Sequence, residues 1–225
     1  MMKQTWANTS VQTLPAPAVR FDPVLDLATG DALGMAAELP FCFEDGPSFG
    51  PARARRSESN SAKWVADRIG EVASVAHQFR HDHRPIIVPA PVAALANPDT
   101  ALACDARVRR SVFCQQEFCI EFTDTAFAGD AADCTSRVAH FRRHGFRVSV
   151  DMRKSWQTPL AEGMRLLIDT LRVDARNLDC DLLMETCEAA AGAGILVIAE
   201  NANWRDADEL ARLGISAGTR LRTDA

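Results

Sequence analysis

The sequence predicts an α/β domain in which a parallel sheet is wrapped by helices, either as a closed barrel or as an open doubly wound sheet. Three observations predict it. Short bulky runs (IIVPAPV, EFCIEF, FRVSV, DTLRV, ILVIA) alternate with stretches of helical periodicity. Glycines stand where helices should stop, at Gly145 and Gly214, in positions suited to a left-handed cap. The length of 225 residues fits one hydrophobic core.

The elements follow in chain order. Residues 1–19 read as a polar tail, and residues 20–225 as the domain. FDPVLDLATGDALGMAAEL alternates apolar and polar positions around Thr29-Gly30-Asp31, which predicts a β-hairpin. Residues 45–62, rich in Gly, Pro, Ser and Arg, read as an exposed loop. Val65, Ile69, Val72, Ala76 and Phe79 recur at helical spacing, and a strand follows after Pro85. A weaker helix over 99–112 leads into the strand EFCIEF, and a helix over 130–144 leads into FRVSV. Helices over 160–167, 178–191 and 205–213 then alternate with DTLRV and ILVIA. After Gly214 only ISAGTRLRTDA remains, which looks short for a last strand and helix.

Composition narrows the function. With 47% hydrophobic and 24% charged residues, the chain has what it needs to bury a core, so disorder is not the default. A net charge of −5 gives no field to collect DNA or RNA, and no nucleic-acid partner is expected. Seven cysteines, an odd number with no CxxC pair, read as free thiols in a reducing compartment. No apolar leader or membrane-length run is visible, so a cytoplasmic protein without membrane contact is expected.

Four of the strands end in an acidic residue: Glu121, Asp151, Asp174 and Glu200. On a barrel those ends share one rim, where barrel enzymes keep their chemistry, and converging carboxylates suit hard divalent cations. The same residues could instead cap the helices that follow them. Spacing alone leaves both readings open.

Resemblance to a known family bears on that choice. FDPVLDLATGDALGMAAELPF resembles the opening hairpin and EAL segment of the EAL family, and FCIEFTDTAF resembles its ELTE-type strand. RRHGFRVSVDM with IDTLRVD resembles the LGxxxAxDDFG and VDxLKID stretches, and GILVIAENANWRDADELARLG resembles the GxxVVAEGVE region. The resemblance runs in order from about Phe21 to Gly218. It implies an EAL-type modified (β/α)8 TIM-like barrel, shortened at its C-terminal end. In that family the barrel hydrolyses cyclic di-GMP with Mg²⁺ or Mn²⁺.

The departures from the pattern fall on the residues that do the chemistry. The family's EAL glutamate, a metal ligand, falls at Ala36, and the phosphate-holding arginine at Pro40. The asparagine ligand falls at Pro89, and the second of the paired aspartates at Met152, whose thioether suits a hard cation poorly. The catalytic lysine becomes Arg172, the later glutamate aligns near Asn203, and the closing glutamine near Thr219. Glu121, Asp151, Asp174 and Glu200 survive as remnant metal-site positions. The segment MRKSWQTPL also departs from the family's DFGTGYSS-type loop.

The resulting expectation is a catalytically inactive EAL-like regulatory protein with no cofactor, or at most a weakly held Mg²⁺. It would act through a protein partner, with self-association as one form of contact, and cyclic di-GMP is not expected as a partner. Two other classes stay open: a cyclic di-GMP sensor that does not hydrolyse, and an enzyme using the surviving carboxylates. Trp156 could anchor a partner or pack over the barrel mouth, and Arg53, Arg55 and Arg56 could hold an acidic partner or lie in a solvated loop. His81 and His83 read as loop residues rather than a metal pair, and Cys114 and Cys119 as thiols rather than a redox couple.

Overall fold

Side chains alternate across a strand, so one that is buried on both faces needs apolar residues outward and either small or partnered residues inward. That rule organises the structure, a computed structural model that describes residues 19–39, 61–127, 131–156 and 160–221. Eight strands form a closed barrel in sequence order. They are β1 (Arg20–Asp26), β2 (Ala32–Glu38), β3 (Ile86–Pro89), β4 (Phe118–Thr123), β5 (Arg147–Asp151), β6 (Thr170–Asp174), β7 (Leu196–Glu200) and β8 (Ile215–Thr219). From β2 to β8 every neighbouring pair is parallel, whereas β1 runs antiparallel to both β2 and β8.

The antiparallel start comes from the hairpin. Asp26 accepts backbone N–H bonds from Ala28 and Thr29, and Gly30 takes φ +79° at the turn. A β-carbon there would also touch the Trp204 ring at 3.4 Å. The closure that the sequence left open is supplied by Ile215–Thr219. Five residues suffice, because Ala217 and Gly218 pair with β1 on one side and β7 on the other. No helix follows β8 among the described residues.

Helices cross between the parallel strands: α1 (Ser61–Gln78), α2 (Val92–Ala96), α3 (Thr100–Val108), α4 (Ala131–Arg143), α5 (Glu162–Arg165), α6 (Asp181–Gly192) and α7 (Ala207–Arg212). In α1 the buried residues Val65, Ile69, Val72 and Ala76 form one stripe, as the spacing predicted, with Ala73 beside them, whereas Phe79, which the spacing set on the same stripe, lies past the end of the helix and is 55% exposed. Helix α4 is followed at Gly145 by φ +86°, the expected left-handed stop. Among the described residues, no helix is long and apolar enough to cross a membrane.

The main core lies between barrel and helices. Phe118, Ile120 and Phe122 of β4 point outward into it with Val148 and Val150 of β5, and Phe122 meets Phe141 of α4 edge-on at 5.4 Å. A second, small cluster fills the inside of the barrel: Val24, Ala36, Ile87, Cys119, Ile198 and Ala217. These inward positions fix the parity of every strand, and with it the residues that reach the rim.

Candidate functional site

Two residues beyond the inward cluster, the same parity brings Glu38, Pro89, Glu121 and Glu200 to the C-terminal rim of the parallel strands. On the strand ladder Glu121 lies beside Pro89 and Ser149, Asp151 beside Arg172, and Glu200 beside both Asp174 and Thr219. Glu121, Asp174 and Glu200 are buried and Asp151 nearly so, and the four carboxylates do gather at one rim.

Guanidinium groups hold them. Arg172, 5% exposed, donates from Nη1 to Glu121 Oε2 at 2.9 Å and Oε1 at 3.2 Å, and from Nη2 to Glu200 Oε2 at 3.4 Å. Arg153 grips Asp151 in bidentate fashion, Nε to Oδ1 and Nη2 to Oδ2, both at 2.8 Å. It also bonds Glu200 through Nη1 and lies 3.7 Å from Glu121. Its own carbonyl accepts from Asn177 Nδ2 at 3.1 Å, which fixes the loop that carries it. Arg220, just past β8, reaches Glu200 Oε1 at 2.8 Å and Asp22 Oδ2 at 2.6 Å, and pairs with Glu38. Arg20 bonds Glu38 at 2.8 Å on the outer side.

Asp174 stands slightly apart. Arg176 donates to it from backbone and side chain, and Asn201 donates to it from Nδ2 at 3.1 Å. It therefore both sits on the rim and begins the turn after β6, so the two readings left open for strand-end acids coexist in one residue.

The electrostatics differ from one carboxylate to the next. Burial pushes Glu121 upward against the opposing charge of Arg172. Burial acts the same way on Asp151, but the hydrogen bonds and charge of Arg153 outweigh it and hold Asp151 below the usual carboxylate range. The Arg176 hydrogen bonds keep Asp174 low as well.

Ala36 faces the barrel interior and offers no donor, and Glu38 occupies the next inward position of the same strand. Pro89 ends β3 on the ladder beside Glu121. Met152 does not face the rim at all, being buried in the main core at 1% exposure. Asn203 caps the short turn before α7, accepting from Arg205 N at 3.0 Å. Thr219 is buried on β8 beside Glu200, and its hydroxyl has no hydrogen-bond partner among the described residues. Trp156 is half-buried against the main core, the packing alternative. Pro40, Arg53, Arg55 and Arg56 lie outside the described residues.

His81 packs against Phe21 with the rings tilted by 49° and their centroids 4.7 Å apart. Cys119 lies inside the barrel against Thr170, and burial pushes its thiol up, while Cys114 is exposed. Sequence reasoning missed Arg153, Arg220 and Asp22. Arg153 had a signal, since it stands two residues beyond Asp151 and continues the inward parity. Arg220, in left-handed backbone at φ +51°, had none.

No protein-family model and no curated protein matches the chain. Solved structures do. The EAL domain of Mycobacterium smegmatis DcpA superposes with a TM-score of 0.68 at 15% identity, covering 90% of this chain and 89% of that one. The fold is that of EAL domains. Klebsiella pneumoniae BlrP1 in complex with calcium and cyclic di-GMP gives a TM-score of 0.69 at 16% identity, over 92% of this chain and 55% of that one. The EAL enzyme Bd1971, bound to cAMP and cyclic di-GMP, gives 0.64 at 17% over 90% of this chain, which spans 60% of the Bd1971 chain. The EAL barrel thus recurs in structures that hold cyclic nucleotides. This overturns the expectation that set cyclic di-GMP aside as a partner: that expectation rested on single substituted positions, and the neighbours of this fold were solved with that nucleotide in place.

Proposed function

We propose that this chain is a non-hydrolysing EAL-type signalling module that acts by binding, with a regulatory protein as its partner. One observation carries the reading: Glu121, Asp151 and Glu200 are all held by guanidinium groups. A divalent cation at such a rim would acidify a bound water to make a nucleophile at neutral pH. Guanidinium cannot do this, because it has only N–H donors, no open coordination position, and a proton it does not give up. The donor set does not fit a divalent pair either, since Ala36 and Pro89 bring no side-chain ligand and Met152 is turned into the core.

A second reading, that the barrel binds a cyclic dinucleotide without cleaving it, is favoured by the nucleotide complexes of the structural neighbours. Purified protein incubated with cyclic di-GMP and Mg²⁺ or Mn²⁺ is expected to yield no linear product. Turnover that disappears in Asp151→Ala would refute the non-hydrolysing reading. Calorimetry on the same mixture separates the two binding roles, because saturable heat identifies a nucleotide sensor and its absence leaves the protein partner.

A further inference from the structure

We propose that the end of the barrel opposite the rim is a docking surface for an acidic segment of a protein partner, in which carboxylates are interspersed with aliphatic side chains. The proposal rests on the reading of this chain as a module with a protein partner, and it adds the surface and the chemistry that partner must carry.

Topology defines the surface. Strands β2 to β6 run parallel, so the turns leading into β3, β4, β5 and β6 all open at one end. Contacts join each turn to the next. Arg84 Nε donates to Glu117 Oε1 at 3.2 Å, and its guanidinium lies 4.6 Å from the centre of the Phe113 ring. Gln115 donates to Asp105, and His144 Nδ1 stands 3.5 Å from the same carboxylate. Arg142 pairs with Asp169. Residues 79–84, 105–117, 142–147 and 165–169 therefore form one continuous face.

That face has the opposite sign from the molecule. Its four segments hold nine arginines against Asp82, Asp105, Glu117 and Asp169, a net +5 with histidine neutral, on a chain whose total is −5. Among the described residues no acid pairs with Arg80, Arg110, Arg143 or Arg147, and all four are exposed. The field of a helix C-terminus accounts for cations such as Arg142 and Arg143 at the end of α4. It gives no reason for apolar side chains to stand in water beside them. Leu166 at 79% and Val112 at 70% are the most exposed large apolar residues among those described, and Phe79 stands at the same end. Exposed apolar groups set among arginines are the composition of a protein interface.

The acids of the face select the occupant. A membrane surface or a polynucleotide is anionic throughout, so it would press phosphates against Asp82 and Glu117 as well as the arginines, and would repel a chain of net −5 as a whole. A protein segment can set carboxylates opposite the four free arginines alone, and aliphatic groups opposite Val112 and Leu166.

Fluorescence anisotropy of a labelled peptide of Glu-Glu-Leu-Ser repeats with the full chain at low salt tests the proposal. Saturable binding is expected, weaker with a peptide of Glu-Glu-Ser-Ser repeats. Arg110→Glu with Arg143→Glu should weaken it at least about tenfold, and Val112→Ser with Leu166→Ser about fivefold. Arg205→Glu, an exposed position after β7 at the rim end, should leave it unchanged. All these side chains are exposed, so the circular dichroism spectrum should stay native; should the double arginine variant lose it, Arg110→Glu alone is expected to weaken binding about threefold. No saturable binding, equal binding of the two peptides, or wild-type affinity in the arginine variants would overturn the proposal. So would vesicles of phosphatidylserine and phosphatidylcholine that bind wild type but not the arginine variants, which would give the face to a membrane. Self-association in sedimentation that the same variants abolish would give it to a second copy, and overturn it equally. Cyclic di-GMP turnover by wild type would instead defeat the non-hydrolysing reading while leaving peptide binding at the far end as measured, so the two failures are distinguishable.

Discussion

Replacing Arg172 by methionine leaves the carboxylate of Glu121, 2% exposed, without the guanidinium that bonds both its oxygens. Ser149 Oγ at 3.3 Å and Arg153 at 3.7 Å remain its nearest support. Breaking a buried pair by removing one partner costs about 3–5 kcal/mol, because a charge stays behind in low dielectric. Glu200 adds little to that cost, since Arg153 and Arg220 still hold it. For a chain of this size each kcal/mol moves the melting temperature by about 2–4 °C, so Arg172→Met should melt roughly 6–20 °C lower.

The cost should also depend on pH, with a sign fixed by Glu121. Burial already raises its pKa from 4.5, and loss of Arg172 raises it further. Above the unfolded value the folded variant then binds a proton that the unfolded chain has released, so its stability falls as pH rises until the folded value is passed. Urea unfolding of wild type and variant at about pH 5 and about pH 8 should show the larger penalty at the higher pH. A penalty below about 1 kcal/mol, or one that does not change with pH, would show that the Arg172–Glu121 pair does not hold this rim.

Two further outcomes follow from the same structure. Asp105, Asp151 and Asp174 are all held below the ordinary 3.8 by arginine partners, Arg109, Arg153 and Arg176, so they contribute stability above that value and lose it as pH falls through their folded values. Urea melts between about pH 5 and pH 2 should therefore lose stability steeply, and Asp151→Asn should flatten the slope; an unchanged slope would remove Asp151 from the account. Phe122→Ala deletes a ring with 0% exposure that packs edge-on against Phe141, and should cost about 3–5 kcal/mol in chemical denaturation.

The barrel was legible because its signals are local. The hairpin at Thr29-Gly30-Asp31, the stripe along α1 and the stops at Gly145 and Gly214 each depend on residues within one or two turns of chain. The eighth strand was underestimated for a related reason. Ile215–Thr219 carries the glycine and small residues of a tight barrel interior, where Ala217 meets Ile198 and Gly218 fits against Leu27, so it lacks the bulk by which the other strands were found. The acidic ends of the bulky runs are equally local, and they place Glu121 and Glu200 at the rim from the linear pattern alone.

What the sequence hid was the pairing. Resemblance compares one position at a time, so it showed that Ala36 and Met152 bring no ligand, but not what neutralises the carboxylates that remain. Arg172 crosses over β5 to bond Glu121 on β4 and also bonds Glu200 on β7, contacts separated by 51 and 28 residues. With neighbouring strands about 4.8 Å apart, only a long side chain lying across the barrel mouth can span them. Arg220 does the same from the far end of the domain, joining Asp22 of β1 to Glu200 of β7 once β8 has closed the barrel. The guanidinium network is thus a product of closure. An arginine read as a failed lysine in the linear sequence becomes, on the closed barrel, the counter-charge shared by Glu121 and Glu200 across the rim.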